Sequence, residues 1–398
     1  MRQNLRNTGQ TGSTDVNALP SYAPPPFLGH GRLSEPQEPV RFSEDKAARL
    51  RERTRAANRW TIRIAGRRGS LLLPTRQNCA LEKTGMLTSK LVQGGMRSIL
   101  YRYVAERPQE AILFDTLRPK YVSLNVQGEY QPCNPTLSFD GSGYALVVRS
   151  VNYELRESGD VRLNGADYDT INYIGRLSTD LNVLGMNRLE DVAFRRASNK
   201  SADGFEDLRT FFWKDDLWSL ASARSNADDT NTMALLKIAG NRVAESYLLE
   251  SPLGSSREKN WMPFVSDRRL HAIHTVNPLT IVEINERGAT VSLSKPLKIP
   301  KDLLGSSQLV RWKDGWLCVV HERRRGKKHL YKHRFLHFDS HWEPTLSEPF
   351  YWKEYGVEFC CGLAVHDGIV AVGFGVNDSQ AIIAQFNQID IDQLLGQG

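Results

Sequence analysis

The stretch GFEDLRTFFWKDDLWSLASA, residues 204–223, joins a charge cluster to two apolar runs separated by a polar turn. Glu206, Asp207 and Arg209 place three charges within four residues, directly before the aromatic run FFW. A turn that contains aspartate between two apolar runs indicates a β-hairpin. The stretch therefore predicts a hairpin with charged residues at the start of its first strand.

The same hairpin pattern recurs along the chain. The five copies are LSFDGSGYALVVRS (137–150), FFWKDDLWSLASA (211–223), FVSDRRLHAIHT (264–275), VRWKDGWLCVVHE (310–322) and LAVHDGIVAVGFG (363–375). Their turn aspartates are Asp140, Asp215, Asp267, Asp314 and Asp367, with spacings of 75, 52, 47 and 53 residues. A hairpin every ~50 residues is typical of β-propeller blades of about four strands. The repeats predict an all-β, five-bladed β-propeller over residues 101–398, with an irregular β-sandwich as the alternative.

The region before the repeats has a different composition. Residues 1–42 hold six of the 18 prolines, which predicts a disordered tail. Residues 43–100 are expected to form a short basic helix, EDKAARLRERTRAANR (44–59), and a connecting segment. The charge of this helix favours weak contact with an anionic membrane through residues 44–59, and a solvated helix or linker is the alternative.

Composition limits the class of protein. Apolar residues make up 40% and charged residues 24%, the mixture found in soluble globular proteins. We expect neither a membrane span nor a secretory signal. The five cysteines form no CxxC pair, which predicts no metal site and reduced thiols in a cytoplasmic protein. A net charge of +7 favours anionic partners, but no aromatic interleaving indicates specific nucleic-acid binding.

Polar side chains flank every predicted hairpin. Blades of a propeller direct equivalent strand ends to one central opening, so residues distant in sequence meet there. The flanking residues are Arg149, Asn152, Glu206, Asp207, Arg209, Glu258, Lys259, Asn260, His274, Asn277, His321, Glu322, Asn377 and Asp378. We therefore expect a single polar site to which all the blades contribute.

Five motifs in this order resemble the β-mannoside phosphorylase family, glycoside hydrolase family 130. They are CNPTLSFDGSGYALVVRSVNY (133–153), GFEDLRTFFWKDDLWSLASA (204–223), EKNWMPF (258–264), GWLCVVHE (315–322) and AVGFGVNDSQAIIAQF (371–386). The resemblance covers roughly residues 125–390. It implies a five-bladed propeller that acts on β-linked mannosides as a phosphorylase, a hydrolase or a related mannosyltransferase, without a cofactor.

The resemblance also implies roles for individual residues. The family's acid motif, Glu/Tyr-Asp-Pro-Arg, reads Glu206-Asp207-Leu208-Arg209 here, so Asp207 is the expected catalytic acid. The family's Asn-Pro and Lys-Asn motifs match Asn134-Pro135 and Lys259-Asn260. The full set of expected substrate-binding residues is Asn134, Arg149, Asn152, Glu206, Asn260, His321 and Asp378, and the expected phosphate-binding residues are Arg209 and Lys259.

The chain departs from the family's phosphorylases at two positions. Leu208 replaces the proline of the acid motif, and Leu279 follows Pro278 where those phosphorylases carry a phosphate-contacting histidine. One carboxylate among cations suits transfer. We therefore expect a glycan-active enzyme that transfers a mannosyl or similar unit with inversion, from a sugar phosphate or sugar nucleotide to a glycan acceptor.

Two alternatives remain open. A hydrolase needs a second carboxylate to activate water, and Glu206, Glu258, Glu322 and Asp378 are candidates for that group in a β-mannoside hydrolase. A propeller fold does not by itself imply catalysis, so a non-catalytic carbohydrate-binding propeller is the other alternative.

Overall fold

The structure is a computed structural model that describes residues 111–156, 160–165, 167–192, 194, 204–225, 230–324 and 329–397. Its elements, in chain order, are β1 (Ala111–Ile112), α1 (Leu113–Leu117), β2 (Lys120–Leu124), β3 (Gln131–Phe139), β4 (Gly143–Val151), β5 (Tyr153–Leu155), β6 (Val161–Leu163), β7 (Thr170–Ser178), β8 (Val183–Arg188), β9 (Phe205–Trp213), β10 (Asp216–Ser225), β11 (Thr230–Ala239), β12 (Arg242–Leu249), β13 (Met262–Ser266), β14 (Arg269–Thr275), β15 (Leu279–Asn285), β16 (Gly288–Lys295), β17 (Leu304–Gly305), β18 (Val310–Trp312), β19 (Gly315–Arg324), β20 (Leu330–Phe338), β21 (Pro344–Leu346), β22 (Phe350–Tyr351), β23 (Glu358–His366), β24 (Ile369–Val376), β25 (Gln380–Asn387) and α2 (Gln388–Leu394). The fold is therefore all-β.

All of the predicted hairpins are present, and each predicted aspartate lies in its turn. They join β3 to β4, β9 to β10, β13 to β14, β18 to β19 and β23 to β24. In the β9–β10 turn, Lys214 and Asp215 have φ values of 53° and 63°. Two successive left-handed residues give the turn the twist of the strands that it joins, and aspartate tolerates this conformation.

The hairpins belong to different sheets. Four sheets have four strands each, in the orders β3-β4-β7-β8, β12-β11-β10-β9, β13-β14-β15-β16 and β2-β25-β24-β23. A seven-stranded sheet has the order β1-β22-β20-β19-β17, with β18 beside β19 and β21 beside β20. The pair β5-β6 fills the long first interval between hairpins. Antiparallel sheets formed one after another along the chain, with β2 completing the last, make a propeller-like fold.

The hydrophobic core is divided among the interfaces between sheets. One cluster, with Val147 and Ala221, joins the sheets of β4 and β10, and another, with Leu220 and Leu270, joins those of β10 and β14. Two further clusters continue this order to the sheets of β19 and β24. The cluster that contains Leu146 then joins the sheet of β24 to that of β4. Each consecutive pair of sheets is thus sealed by buried apolar side chains.

Aromatic and sulfur side chains of the repeats lie within this packing. The hairpin tryptophans Trp213, Trp218, Trp312 and Trp316 are all buried, so they pack between sheets and do not form exposed sugar platforms. The four cysteines in the described part of the chain are buried and free. Within the same part, no helix is long and apolar enough to cross a bilayer, and no cluster of His, Cys, Asp and Glu is placed to hold a metal ion.

Several sequence predictions lie outside the described residues. They are the tail over 1–42, the basic helix and connecting segment over 43–100, the membrane contact through 44–59, and Cys79.

Candidate functional site

Irregular pairing shapes one end of the first strand in several sheets. On β3, the partners change from Cys133↔Arg149 to Thr136↔Val147, so Asn134 and Pro135 together oppose one residue of β4. On β9, a similar shift places Asp207 and Leu208 opposite one residue of β10. A β-bulge turns side chains out of the regular alternation and is frequent beside active sites. The bulges explain how Asn134 and Asp207 point toward each other.

Four polar residues at this end of the sheets have left-handed backbones. The φ values are 42° for Asn134, 50° for Asp207, 62° for Asn260 and 49° for Asp378. Asparagine and aspartate accept this region more readily than other residues with side chains, yet the conformation costs free energy. Such residues cluster at functional sites when the surrounding structure holds them in place. Their joint occurrence on separate sheets marks this end of the fold as the candidate site.

Asp207 is the centre of a network of cations and carboxylates. Arg149 Nη1 donates to Asp207 Oδ1 at 2.8 Å, and Asn134 Nδ2 donates to the same oxygen at 2.9 Å. Arg149 Nη2 also lies 3.5 Å from Glu206 Oε1. Lys259 Nζ donates to Glu206 Oε2 at 3.1 Å. Residues predicted from three separate sequence motifs therefore meet in one cluster.

The cluster is recessed but open to solvent. The side chains of Asp207 and Glu206 are 19% and 13% exposed, and that of Arg149 is 6% exposed. Lys259 lies at the rim with 46% of its side chain exposed. The two carboxylates thus keep some contact with solvent, while protein atoms cover most of their surface.

Arg209 is an internal anchor in this structure, and its contact with phosphate stays a prediction. Its residue exposure is 0%. Nε donates to the Ser306 carbonyl at 2.5 Å, Nη1 to the Asp207 carbonyl at 2.7 Å, and Nη2 to Asn260 Oδ1 at 3.2 Å. The guanidinium carbon lies 5.7 Å from the centre of the Phe359 ring. Because protein groups occupy all three nitrogens, Arg209 connects three separate segments of the site.

Asp378 completes the candidate site from the turn between β24 and β25. The Tyr153 hydroxyl donates to Asp378 Oδ2 at 3.0 Å. Burial raises the pKa of Tyr153 well above its usual value, although Arg149 opposes the shift. The phenol therefore stays protonated at neutral pH and can keep donating to the carboxylate.

The three carboxylates respond differently to the same surroundings. Burial alone would raise the pKa of Asp207, but Arg149 and neighbouring donors outweigh it and hold this pKa below its usual value. Burial is likewise outweighed at Glu206, where Arg149 and Lys259 lower the pKa. At Asp378 burial prevails, because Arg149 offsets it only in part, and the pKa is raised. Environments that separate pKa values in this way are a feature of acid–base sites.

Two expected substrate-binding residues have structural partners. His321 is buried, its Nδ1 lies 2.8 Å from Ser306 Oγ, and burial lowers its pKa to about 3, so it is a neutral wall residue. Asn152 donates to the Asp167 carbonyl and accepts from the Asp169 backbone N–H. Its amide thus holds the loop after β6.

Two of the carboxylates considered for hydrolysis bind protein groups other than Arg149 and Lys259. Glu258 is buried and accepts a hydrogen bond from Trp261 Nε1 at 2.8 Å. Glu322 forms ion pairs with Arg334 at 2.7 Å and Lys332 at 2.9 Å. Of the four candidates, Glu206 and Asp378 remain in the site.

Sequence reasoning missed two residues that shape the site. Tyr153 lies four residues after Arg149, and residues separated by an even number of positions in an extended chain share one face. This spacing could have predicted that Tyr153 lies on the same side as Arg149. Ser306 contributes its carbonyl to Arg209 and its hydroxyl to His321 from a segment without regular alternation. No sequence signal indicated that position.

Comparison with known proteins finds matches among solved structures at low sequence identity. No protein-family model matches the chain, and no curated protein matches it in sequence. Among solved structures, a β-1,2-mannobiose phosphorylase from Listeria innocua in complex with β-1,2-mannobiose has a TM-score of 0.48 at 13% identity, over 69% of this chain and 96% of that one. A mannose phosphorylase from Leishmania mexicana in complex with phosphate has a TM-score of 0.45 at 10% identity, over 71% and 92%. A glycosyl hydrolase from Bacteroides ovatus has a TM-score of 0.48 at 10% identity, over 65% and 85%.

Proposed function

We propose that the chain is a glycan-active enzyme that transfers a mannosyl or similar unit, with inversion, from a sugar phosphate or sugar nucleotide to a glycan acceptor. One observation carries the proposal: Asp207, on a bulge, is recessed among Arg149, Lys259 and Arg209. The sugar and the inversion come from the motif resemblance. Cations close to Asp207 suit a reaction in which phosphate is the leaving group.

We further infer that the five large sheets are the blades of a five-bladed propeller. Each repeated hairpin belongs to its own sheet, and apolar clusters seal every consecutive pair, including the last with the first. Under this arrangement Asn134, Asp207, Asn260, Ser306 and Asp378 reach a common opening from five blades. The central mouth of a propeller is a usual place for a small ligand.

The proposed chemical step uses Asp207 as the proton acceptor in the synthetic direction. The acceptor hydroxyl oxygen forms a bond to the anomeric carbon of the donor, and its proton passes to Asp207. The bond from the anomeric carbon to the phosphate oxygen breaks, and its electron pair leaves on that oxygen. Lys259 and Arg149 would stabilise the charge on the leaving phosphate. In the reverse direction, protonated Asp207 is the acid named by the motif resemblance.

Hydrolysis is the second candidate, because Asp378 lies in the same site. A carboxylate that positions water opposite the acid is the requirement for an inverting hydrolase. Asp378, held by Tyr153, is one candidate for that role and Glu206 is the other. The two functions predict different products from the same substrates.

A product assay tests the proposal. The protein is incubated with mannose 1-phosphate or GDP-mannose and mannose oligomers, and chain elongation is followed by chromatography. We expect elongation with one donor, and loss of at least about 100-fold in rate for Asp207→Asn, because a positioned acid or base contributes about 10²–10⁴-fold. Cleavage of oligomers in water without elongation would support the hydrolase instead. Binding of oligomers without turnover, with Asp207→Asn changing affinity alone, would support a non-catalytic binding protein.

The proposed partners follow from this function. They are a glycan and a sugar phosphate or sugar nucleotide, with no specific nucleic acid. A cytoplasmic location is proposed from the free, buried cysteines, which suit a reducing compartment.

A further inference from the structure

Arg149 has unused capacity to bind an anion. Among the described residues, its one hydrogen bond is from Nη1 to Asp207, and its contact with Glu206 is a longer 3.5 Å. Its Nε is buried and has no hydrogen-bond partner in that part of the chain. Guanidinium groups prefer planar, two-point contacts with carboxylate or phosphate oxygens. The unpaired Nε and the long Nη2 contact leave Arg149 with donors that Asp207 does not use.

The two cations that face the opening already hold carboxylates. Arg149 pairs with Asp207, and Lys259 pairs with Glu206. An incoming oxyanion must compete with these carboxylates for the same donors. A carboxylate that loses its cation in a recessed site becomes costly to keep ionised.

We propose that a tetrahedral oxyanion entering this site takes Arg149 from Asp207, and that Asp207 takes up a proton from solvent as the anion binds. The step forms one O–H bond on Asp207 and consumes one solvated proton. This inference rests on the proposed function for its biological meaning, since the oxyanion stands for the inorganic phosphate that transfer from a sugar phosphate releases and that the reverse reaction consumes. The binding event itself needs no sugar.

The charged groups around Asp207 favour proton uptake when Arg149 moves to the anion. Arg149 is the cation that most lowers its pKa against burial, while Arg209 and Lys259 act more weakly and Asn134 donates to the ionised form. The charged or titratable groups that face Asp207 from the surrounding elements are Arg149, Cys133, Glu206, Arg209, Lys259, His321, Cys361 and Asp378. Of these, His321 is neutral and the buried thiols stay protonated, so the cations decide the outcome. Diverting Arg149 to an anion moves the proton affinity of Asp207 upward.

The consequence for catalysis is a matched acid–base group. An aspartate whose pKa is depressed has no proton to donate at neutral pH, and a proton-transfer group works best when its pKa lies near the working pH. Binding of inorganic phosphate would load Asp207 with the proton that the reverse reaction, phosphorolysis, must give to the leaving glycan oxygen. The free site would instead keep Asp207 ionised and tied to Arg149.

Calorimetry of sulfate binding to the full chain tests the inference. Sulfate is the probe because it does not titrate near neutral pH, and sodium chloride at equal ionic strength is the salt control. Titrations at about pH 6, well above the usual aspartate pKa of about 3.9, are repeated in buffers of different ionisation enthalpy. The dependence of the observed heat on the buffer gives the number of protons taken up. We expect net uptake in the wild type.

Two variants assign the proton. Asp207→Asn removes the competing charge, so it should bind sulfate at least about fivefold more tightly and show no uptake. Glu206→Gln is the matched control and should retain uptake. Thermal unfolding of both variants shows whether they are folded.

Several results would overturn the inference. These are no sulfate binding by the wild type, binding without uptake, or undiminished uptake in Asp207→Asn. Proton uptake without mannosyl transfer would leave this inference standing and refute the proposed function. Transfer without proton-linked sulfate binding would do the reverse.

Discussion

Replacing Arg209 with methionine tests whether this side chain is the anchor of the site. The substitution preserves an apolar stem but removes the donors to Ser306, Asp207 and Asn260, which are separate parts of the chain. A buried acceptor left without a donor costs about 1–3 kcal/mol, so three such groups would cost at most about 9 kcal/mol, and less here because the bonds to Asp207 and Asn260 are only partly buried. Removing a buried charge that forms no ion pair within the described residues returns part of this. We expect the free energy of unfolding to fall by about 3–5 kcal/mol.

Urea denaturation followed by circular dichroism measures this change. Arg209→Lys separates charge from geometry, because one ammonium retains the charge but cannot span three acceptors, and we expect it to be intermediate. Arg269→Met is the matched control, since Arg269 is 68% exposed and its nearest carboxylate, Glu283, is 3.7 Å away. The control should lie within about 0.5 kcal/mol of the wild type. A loss below about 1 kcal/mol for Arg209→Met would show that Arg209 does not hold the site together.

Three further predictions concern Asp207, Asp378 and the packing of Gly375 against Asn134. The pKa of Asp207 is lower in the folded protein than in the unfolded chain, so its ionisation stabilises the fold above the unfolded pKa. This stabilisation is lost as pH falls through the folded pKa. Asp207→Asn should therefore make Tm fall less steeply with decreasing pH than it does in the wild type. The pKa of Asp378 is raised in the folded protein, so its ionisation destabilises the fold as pH rises through that pKa. The Tm of Asp378→Asn should therefore increase relative to the wild type over that pH range. Equal profiles of Tm against pH for a variant and the wild type would contradict the corresponding pKa shift. Gly375→Ala would drive a methyl group into Asn134 Oδ1 and to 2.6 Å from its backbone N, so we expect a loss of about 1–3 kcal/mol in urea denaturation and reduced turnover. The control is Gly368→Ala, because Gly368 has φ of +75° and no atom within 4 Å of an added Cβ. This variant should lose about 1 kcal/mol of unfolding free energy and keep its turnover. Equal turnover in the two variants would show that Asn134 is not needed.

The site was partly predictable because extended chain alternates its side chains. Arg149 and Tyr153 are separated by an even number of residues and both contribute to the site, whereas Asn152 differs in parity and bonds a neighbouring loop. Position near a strand end was therefore not sufficient, and parity would have separated Asn152 from its neighbours. The bulge at Asp207 breaks this rule, so its orientation could not be read from alternation.

The sequence by itself determined the repeated hairpins and their spacing, because a turn such as Lys214–Asp215 and its flanking strands depend on residues adjacent in the chain. It also identified some of the polar residues that meet in the site, among them Asn134, Arg149 and Asp207. Only the tertiary structure decided what each can do. It places three hydrogen-bond acceptors around Arg209, and it lowers the pKa of Asp207 while raising that of Asp378. Burial and charge act over a few ångströms of space, and those neighbours come from sheets far apart in the chain.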